Sequence, residues 1–84
     1  MTRQAMFEVI KAKIREIVEG AADVEIDENA SMRDLGADSL EIVEVVSRSM
    51  KELKIKVPRT ELSGARNLKE LLDLFEKSAA QTAS

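Results

Sequence analysis

The sequence contains no cysteine, no histidine, no tryptophan and no tyrosine, and its only aromatic residues are two phenylalanines. Without cysteine, the chain has no disulfide framework, no thiolate metal site and no thiol nucleophile. Without histidine, it lacks the commonest general base and the commonest metal ligand, so we expect no metal site. These absences argue against an enzyme with its own acid–base or covalent chemistry. The composition favours a protein that binds, carries or is recognised.

Long apolar runs are also absent. No stretch of about 18 apolar residues occurs, so the sequence predicts no membrane-spanning segment. The first residues lack an apolar core after a basic start, so they do not resemble a secretory signal, and we expect a cytoplasmic protein. The length of 84 residues fits one domain, which we place at residues 1–78, followed by a flexible tail at residues 79–84.

Acidic and basic residues are unevenly distributed along the chain, although the net charge is only −3. Residues 16–44 contain ten acidic residues and a single basic residue, Arg33. This acidic segment argues against nucleic-acid binding, which requires a basic face. It would favour the approach of a basic partner surface, although a solvated acidic loop explains the same pattern.

Apolar residues recur at helical spacing in three segments, residues 4–19, 39–54 and 68–77. Gly20 offers a C-cap to the first segment, and Asn67 is the expected N-cap of the last. A short helical turn is predicted at residues 59–63. The expected buried stripes are Phe7, Ile10, Ile14 and Ile17, widened by Met6 and Val18; Leu40, Val43, Val46 or Ser47, Met50 and Leu53, broadened by Ile42 and Val45; and Leu68, Leu71, Leu72 and Phe75. We therefore predict an all-α fold, a small four-helix bundle with three main helices and a short third helix.

A long connection, residues 21–38, separates the first two helices. Its polar composition predicts a loop, and a long loop in a compact domain is often functional. Four isolated apolar residues are expected to anchor it to the core: Val24, Ile26, Met32 and Leu35. Ser31 is positioned to cap a short turn that Gly36 ends, so we predict an ordered loop.

The end of this loop carries the most informative motif, Leu-Gly-Ala-Asp-Ser-Leu at residues 35–40. Asp38 is a strong N-cap candidate, and Glu41 three residues later completes a capping-box pattern. Ser39 would then occupy the first helical position, with its hydroxyl facing solvent. An anion attached there would lie near the positive end of the helix dipole.

Two interpretations of Asp38 and Ser39 follow from the residues alone. The site is well suited to a phosphate ester, but no histidine is present to activate Ser39 as a nucleophile. Alternatively, the two residues simply begin a helix, as such residues often do. Short motifs do not decide between these interpretations.

With its surrounding helix pattern, the motif resembles the attachment site of acyl carrier proteins, and the resemblance covers nearly the whole chain. It implies that Ser39 is modified with 4′-phosphopantetheine by a separate phosphopantetheinyl transferase, and that the thiol of this arm carries acyl groups as thioesters. It also implies that Asp38 assists the transferase reaction and that Leu40 contacts partner enzymes. The protein itself would then not be an enzyme, because partners supply the chemistry.

The resemblance also gives other residues expected roles. The acidic residues Asp34, Glu41 and Glu44, near Ser39, would meet basic patches on an acyltransferase, a ketosynthase or another partner, and salt would weaken these contacts. Apolar residues between the helices would either form ordinary core or line a cleft for the acyl chain. The candidates for this acyl-chain cleft are Val43, Val46, Met50, Leu62 and Leu68.

The sequence departs from ordinary fatty-acid carriers after the motif, because residues 45–69 contain seven basic and two acidic residues. Residues 57–67, which include Arg59 and Arg66, resemble the same stretch in free-standing carriers of polyketide β-branching, which donate acetyl groups to a hydroxymethylglutaryl-type synthase. We expect Arg59 and Arg66 to contribute to partner recognition, although solvated basic faces explain them equally well. General fatty-acid synthesis, or an unmodified helical interaction module, are the alternative functions. We expect a monomer that binds neither nucleic acid nor membrane.

Overall fold

The computed structural model describes residues 2–82, with side chains to residue 80. Within this range the chain forms four helices and no strand: α1 (Arg3–Ile17), α2 (Ser39–Leu53), α3 (Arg59–Leu62) and α4 (Leu68–Thr82). The predicted all-α fold, with a short third helix and a long connection between the first two, is confirmed. None of the described helices combines the length and the apolar character needed to span a bilayer.

Helix α1 begins where the Thr2 hydroxyl accepts a hydrogen bond from the Ala5 amide at 3.1 Å. Its buried face consists of Met6, Ile10 and Ile14, whereas the predicted stripe members Phe7 and Ile17 are only half-buried. The predicted C-cap at Gly20 was wrong. Val18 is the C-cap residue in extended conformation, and Gly20 has its positive φ of 89° in the turn that follows.

The connection between α1 and α2 is held against α4 by its backbone. The amides of Leu68 and Lys69, the first two residues of α4, donate to the carbonyls of Ala30 and Glu28 at 3.0 and 2.8 Å. These contacts satisfy N–H groups that have no acceptor within their own helix. The loop therefore caps α4, and both segments are ordered by the same bonds.

Of the four predicted anchors of this loop, Ile26 and Met32 are buried and Leu35 is half-buried. Val24 is 41 % exposed, so its prediction as an anchor was wrong. Val24 lies in the first turn of the loop, where its amide donates to the Ala21 carbonyl. Ala21 is the buried residue at that point, and its small side chain brings the turn close to the core.

Arg3 connects α1, the loop and α4. Its guanidinium group bonds to the carboxylates of Glu28 at 3.1 Å and Asp73 at 2.7 Å, to the carboxylate of Glu76, and to the Lys69 carbonyl at 3.2 Å. These hydrogen bonds, that to Glu76 foremost, raise the pKa of Arg3 above its ordinary value. Arg3 therefore stays protonated at every accessible pH and fixes the loop against both helices.

Helix α2 presents to the core a face that overlaps the predicted stripe only in part, because Val46 and Leu53 are buried as predicted. Its buried residues are Val45, Val46, Ser49 and Leu53. Leu40 and Val43 are 81 % and 58 % exposed, so their prediction as core was wrong. Steps of three residues fall short of a full helical turn, and Leu40 consequently lies about 120° around the axis from Val46. The two exposed residues form a surface beside the start of α2.

Helix α4 begins as predicted, because the Asn67 side chain accepts a hydrogen bond from the Glu70 amide at 2.9 Å. Its predicted stripe is confirmed, since Leu68, Leu71, Leu72 and Phe75 are all buried. The helix continues to Thr82, beyond the predicted end at residue 77. Ser78 explains part of this extension, because its buried hydroxyl donates to the Lys56 carbonyl at 2.5 Å. Of the tail predicted at residues 79–84, the last two residues lie outside the described range.

Candidate functional site

The loop turns sharply immediately before α2. The Met32 carbonyl accepts from the amides of Leu35 at 3.1 Å and Ala37 at 3.0 Å. Gly36 has a φ of 97°, which a residue with a Cβ rarely adopts. Ser31 and Asp34 close the same turn, because each side chain accepts from the backbone amide of the other. The predicted capping by Ser31 and the turn at Gly36 are confirmed.

Helix α2 begins with the predicted capping box. The Asp38 carboxylate accepts from the Glu41 amide at 2.8 Å, and the Glu41 carboxylate accepts from the Asp38 amide at 3.0 Å. Asp38 has extended backbone, with φ −87° and ψ 177°, as an N-cap requires. Both carboxylates are therefore bonded to the backbone on either side of Ser39, and they hold the start of the helix in place.

Ser39 is the first residue of α2, and it is exposed. The amides of Ser39 and Leu40 have no acceptor within the helix, because the first residues of any helix lack one. Together with the helix dipole, these N–H groups stabilise a negative charge near the serine hydroxyl. Ala37, two residues before Ser39, is buried and fixes the backbone there. The site therefore presents a hydroxyl, held in a defined position, at which a phosphate ester fits.

An apolar surface adjoins Ser39. Leu40 and Val43 are the most exposed of the large apolar residues in the described chain. Burying such side chains in a contact with another protein removes apolar area from water, which favours association. Their exposure agrees with the role expected of Leu40 and shows that Val43 has a side open to solvent as well as a side facing the helices.

The acidic residues expected to recognise partners all have hydrogen bonds inside the molecule. Asp34 bonds to the backbone of its own turn, Glu41 belongs to the capping box, and Glu44 pairs with Arg48 at 2.7 Å. Asp34 and Glu44 are nevertheless exposed, whereas Glu41 is half-buried. Sequence spacing placed these three residues near Ser39, but it could not reveal which of them already has a structural role.

A cavity of about 610 Å³ lies between α2, α3 and the residues on either side of them. All five residues predicted for the acyl-chain cleft line it: Val43, Val46, Met50, Leu62 and Leu68. Ile42 and Leu71 also line it, although the sequence analysis assigned both only to helix packing. The cavity is open to solvent on one side and has mostly apolar walls.

Arg59 and Arg66, predicted to recognise partners, both line this cavity. They lie on α3 and on the segment after it. Arg33, from the loop before α2, also lines the cavity, and sequence reasoning did not select it. Its one visible signal was its position as the single basic residue in an acidic segment.

Comparison with known proteins places the chain among carriers of a covalent cofactor. The model of the phosphopantetheine attachment site family matches residues 10–75. The polyketide biosynthesis acyl-carrier-protein AcpK of Bacillus subtilis is 33 % identical over 78 residues, which cover 92 % of this chain and 95 % of that protein. An acyl carrier protein of Saccharopolyspora erythraea is 33 % identical over 85 residues, covering 100 % of this chain and 88 % of that protein.

A solved structure extends this similarity to three dimensions. It is the crystal structure of the curacin biosynthetic pathway HMG synthase in complex with acetyl donor-ACP. One of its chains superposes with a TM-score of 0.81 at 35 % identity, covering 94 % of this chain and 99 % of that chain. The matched chain has nearly the length of this one, as expected of the carrier component.

Proposed function

The chain belongs to the phosphopantetheine-binding acyl carrier family, and from this premise we propose that Ser39 is the residue that bears the cofactor. Members of the family carry acyl groups for other enzymes, and this chain is a carrier rather than an enzyme. When bound, 4′-phosphopantetheine supplies a thiol that holds acyl groups as thioesters. The observation that supports Ser39 is its exposed hydroxyl at the capped start of α2.

The residues around Ser39 fit this cofactor. The amides of the first turn favour the phosphate, and the capping box fixes the serine without covering it. We propose that Asp38 assists the transferase reaction, and its carboxylate is already oriented at the start of the helix by the Glu41 amide. The exposed Leu40 lies next to Ser39 in the sequence, and we propose that it contacts the transferase and later partners.

Intact-mass spectrometry tests the assignment of Ser39. Incubation with coenzyme A and a broad-specificity phosphopantetheinyl transferase is expected to add one phosphopantetheinyl group to the wild type. Ser39→Ala is expected to abolish this gain, and Ser47→Ala, an exposed serine on the same helix, is expected to retain it. An unchanged wild-type mass, with normal helical circular dichroism, would favour the alternative of an unmodified interaction module.

We further propose that the pathway is polyketide or related secondary metabolism. The polyketide carrier of Bacillus subtilis and the curacin donor carrier, at 33 % and 35 % identity, support this proposal. Residues 45–69 are basic, which agrees with the polyketide proposal, because the ordinary fatty-acid carriers that the motif resembles are acidic in the same stretch. General fatty-acid synthesis is the alternative, since the Saccharopolyspora relative is described simply as an acyl carrier protein.

The proposed partner is a hydroxymethylglutaryl-type synthase to which the carrier donates acetyl groups. The curacin complex supports this class of partner, because its carrier chain is described as an acetyl donor bound to such a synthase. The surface around Ser39 offers apolar contact through Leu40 and Val43, and negative charge through Asp34 and Glu44. Arg59 and Arg66 add positive charge beside the cavity. A docking partner would therefore need both basic and acidic patches.

Charge reversal tests the contribution of the arginines to this partner. Acetyl-loaded Arg59→Glu and Arg66→Glu are expected to transfer acetyl to the synthase more slowly than wild type, through slower association, and added salt is expected to reduce the difference. Arg15→Glu, an exposed arginine on α1 away from the cavity, is the matched control and is expected to be unaffected. Unchanged transfer by both cavity variants would refute the role of this face.

We also propose that the apolar cavity shelters the acyl chain. Met50, whose unbranched side chain adapts to different shapes, forms part of the wall. Lengthening the loaded acyl chain is expected to shift the NMR signals of Val46, Met50 and Leu68 progressively. Signals that do not depend on chain length at these residues would show that the cavity is ordinary packing space.

A further inference from the structure

The charged residues that line the cavity are all arginines. Arg33, Arg59 and Arg66 contribute to its wall, and no aspartate or glutamate does so among the described residues. The chain as a whole has 16 acidic and 13 basic residues, so a cavity without any carboxylate differs from the average surface. The wall therefore combines apolar side chains with positive charge from exposed arginines.

The three guanidinium groups are also free of partners in the described part of the chain. None of them forms an ion pair or a side-chain hydrogen bond there, and all three residues are exposed. Arg3 and Arg48, by contrast, pair with carboxylates at 2.7 Å. A carboxylate does lie close by, since that of Glu70 accepts from the Arg66 amide at 2.8 Å, but among the described residues none pairs with a guanidinium group of the cavity.

These arginines come from three separate segments of the chain. Arg33 lies in the loop before α2, Arg59 begins α3, and Arg66 lies between α3 and α4. Solvated arginines on one helix face are common, whereas convergence from three segments on one cavity concentrates positive potential at that place. A guanidinium group binds a carboxylate in a bidentate manner and is less strongly hydrated than an ammonium group, which suits it to binding a carboxylate beside an apolar wall.

We propose that the cavity selects acyl groups that end in a carboxylate, with the chain against the apolar wall and the carboxylate on the arginines. The proposal rests on attachment of the cofactor at Ser39, and it defines a class of cargo additional to acetyl. A purely alkyl chain would leave the arginines unused, and a small inorganic anion would leave the apolar wall unused. An amphipathic anion matches both parts of the site.

Three sources of an anion must be distinguished: the acyl group, the phosphate of the arm itself, and a free carboxylate. The carrier is loaded with glutaryl or with pentanoyl, which have equal carbon number but differ in the terminal carboxylate. The unacylated cofactor-bearing protein reports on the phosphate alone. Free glutarate added to unmodified protein reports on a carboxylate without a tether. NMR of the arginine Nε–Hε groups is the readout.

The glutaryl form is expected to shift the signals of the three cavity arginines at least about twofold more than the pentanoyl form, and high salt is expected to remove the difference. Equal shifts in both acylated forms would overturn the proposal. Shifts already complete in the unacylated form would assign the site to the phosphate, and equal shifts with free glutarate would assign it to untethered anions. Either result would overturn it.

Single substitutions locate the site. Arg33→Gln and Arg66→Gln are expected to reduce the glutaryl-dependent shift of the remaining cavity arginines, whereas Arg15→Gln on α1 is expected to preserve it. Arg33 has no part in the partner proposal, so its effect is specific to cargo. Intact mass separates the two levels of failure, because an unloaded protein refutes attachment at Ser39, whereas a loaded protein without these shifts refutes only the cargo proposal.

Discussion

Replacing Ser49 with alanine is expected to stabilise the protein, although Ser49 is a core residue. Ser49 is 0 % exposed on the buried face of α2, and among the described residues its hydroxyl oxygen has no hydrogen-bond partner. A buried hydroxyl without a partner costs about 1–3 kcal/mol. Alanine also favours a helix interior over serine by about 0.5 kcal/mol. Removal of one oxygen leaves a small void, which offsets part of this gain.

The net expected gain from Ser49→Ala is about 1–2 kcal/mol in the free energy of unfolding. In a domain of this size, each kcal/mol corresponds to about 4–8 °C in Tm. Urea and thermal unfolding followed by far-UV circular dichroism measure both quantities. An increase in the urea midpoint with an unchanged m-value would assign the effect to stability rather than to a change in compactness.

Ser47→Ala is the matched control, because Ser47 lies on the same helix and is exposed. The free energy of unfolding of Ser47→Ala is expected to stay within about 0.5 kcal/mol of the wild-type value, since the two proteins differ only in helix propensity at that position. If Ser49→Ala lowers stability, the Ser49 hydroxyl makes a stabilising hydrogen bond, and if it changes stability no more than Ser47→Ala does, burial of the hydroxyl has no net cost. Either result would refute the reasoning from burial.

Three other predictions concern the remaining elements. Leu71→Ala on α4 is expected to lower stability by about 2–5 kcal/mol in urea unfolding, because Leu71 is buried, and a much smaller loss would contradict its place in the core. Ser39→Ala is expected to change stability by less than about 0.5 kcal/mol, since the residue is exposed, and marked unfolding would identify Ser39 as structural. Lys13 pairs with Glu52 at 2.7 Å, and this bond raises its pKa above 10.5. The contribution of the protonated Lys13 is therefore complete below pH 10.5 and is lost as pH rises through the raised pKa. When the pH is raised from 7, the urea-midpoint difference between wild type and Lys13→Met is therefore expected to shrink only in that alkaline range. A difference that shrinks already near neutral pH would contradict this assignment.

Local signals in the sequence predicted local structure well. The capping box of Asp38 and Glu41 and the cap at Asn67 each depend on a few neighbouring residues, and both are present. The turn at Gly36 is another such case. Because these bonds close within one helical turn, their residues identify them without knowledge of the rest of the fold. The position of Ser39 follows directly from them.

Features that depend on distant contacts were not predictable in the same way. The buried face of α2 is set by its packing on α1, so the apolar pattern assigned Leu40 and Val43 to the core although they are exposed. The extension of α4 includes a bond from Ser78 to Lys56, 22 residues away. Arg33 joins the cavity only when three segments converge. Helical periodicity describes one element at a time and contains no information about such convergence.

The central claim is that Ser39 bears the phosphopantetheine arm, and peptide mapping tests it most directly. Trypsin releases residues 34–48 as one peptide, which contains both Ser39 and Ser47. After treatment with coenzyme A and a phosphopantetheinyl transferase, fragmentation is expected to place the entire added mass on Ser39. Modification at Ser47 or in another peptide, or an unmodified peptide after complete reaction of a known carrier, would contradict the claim.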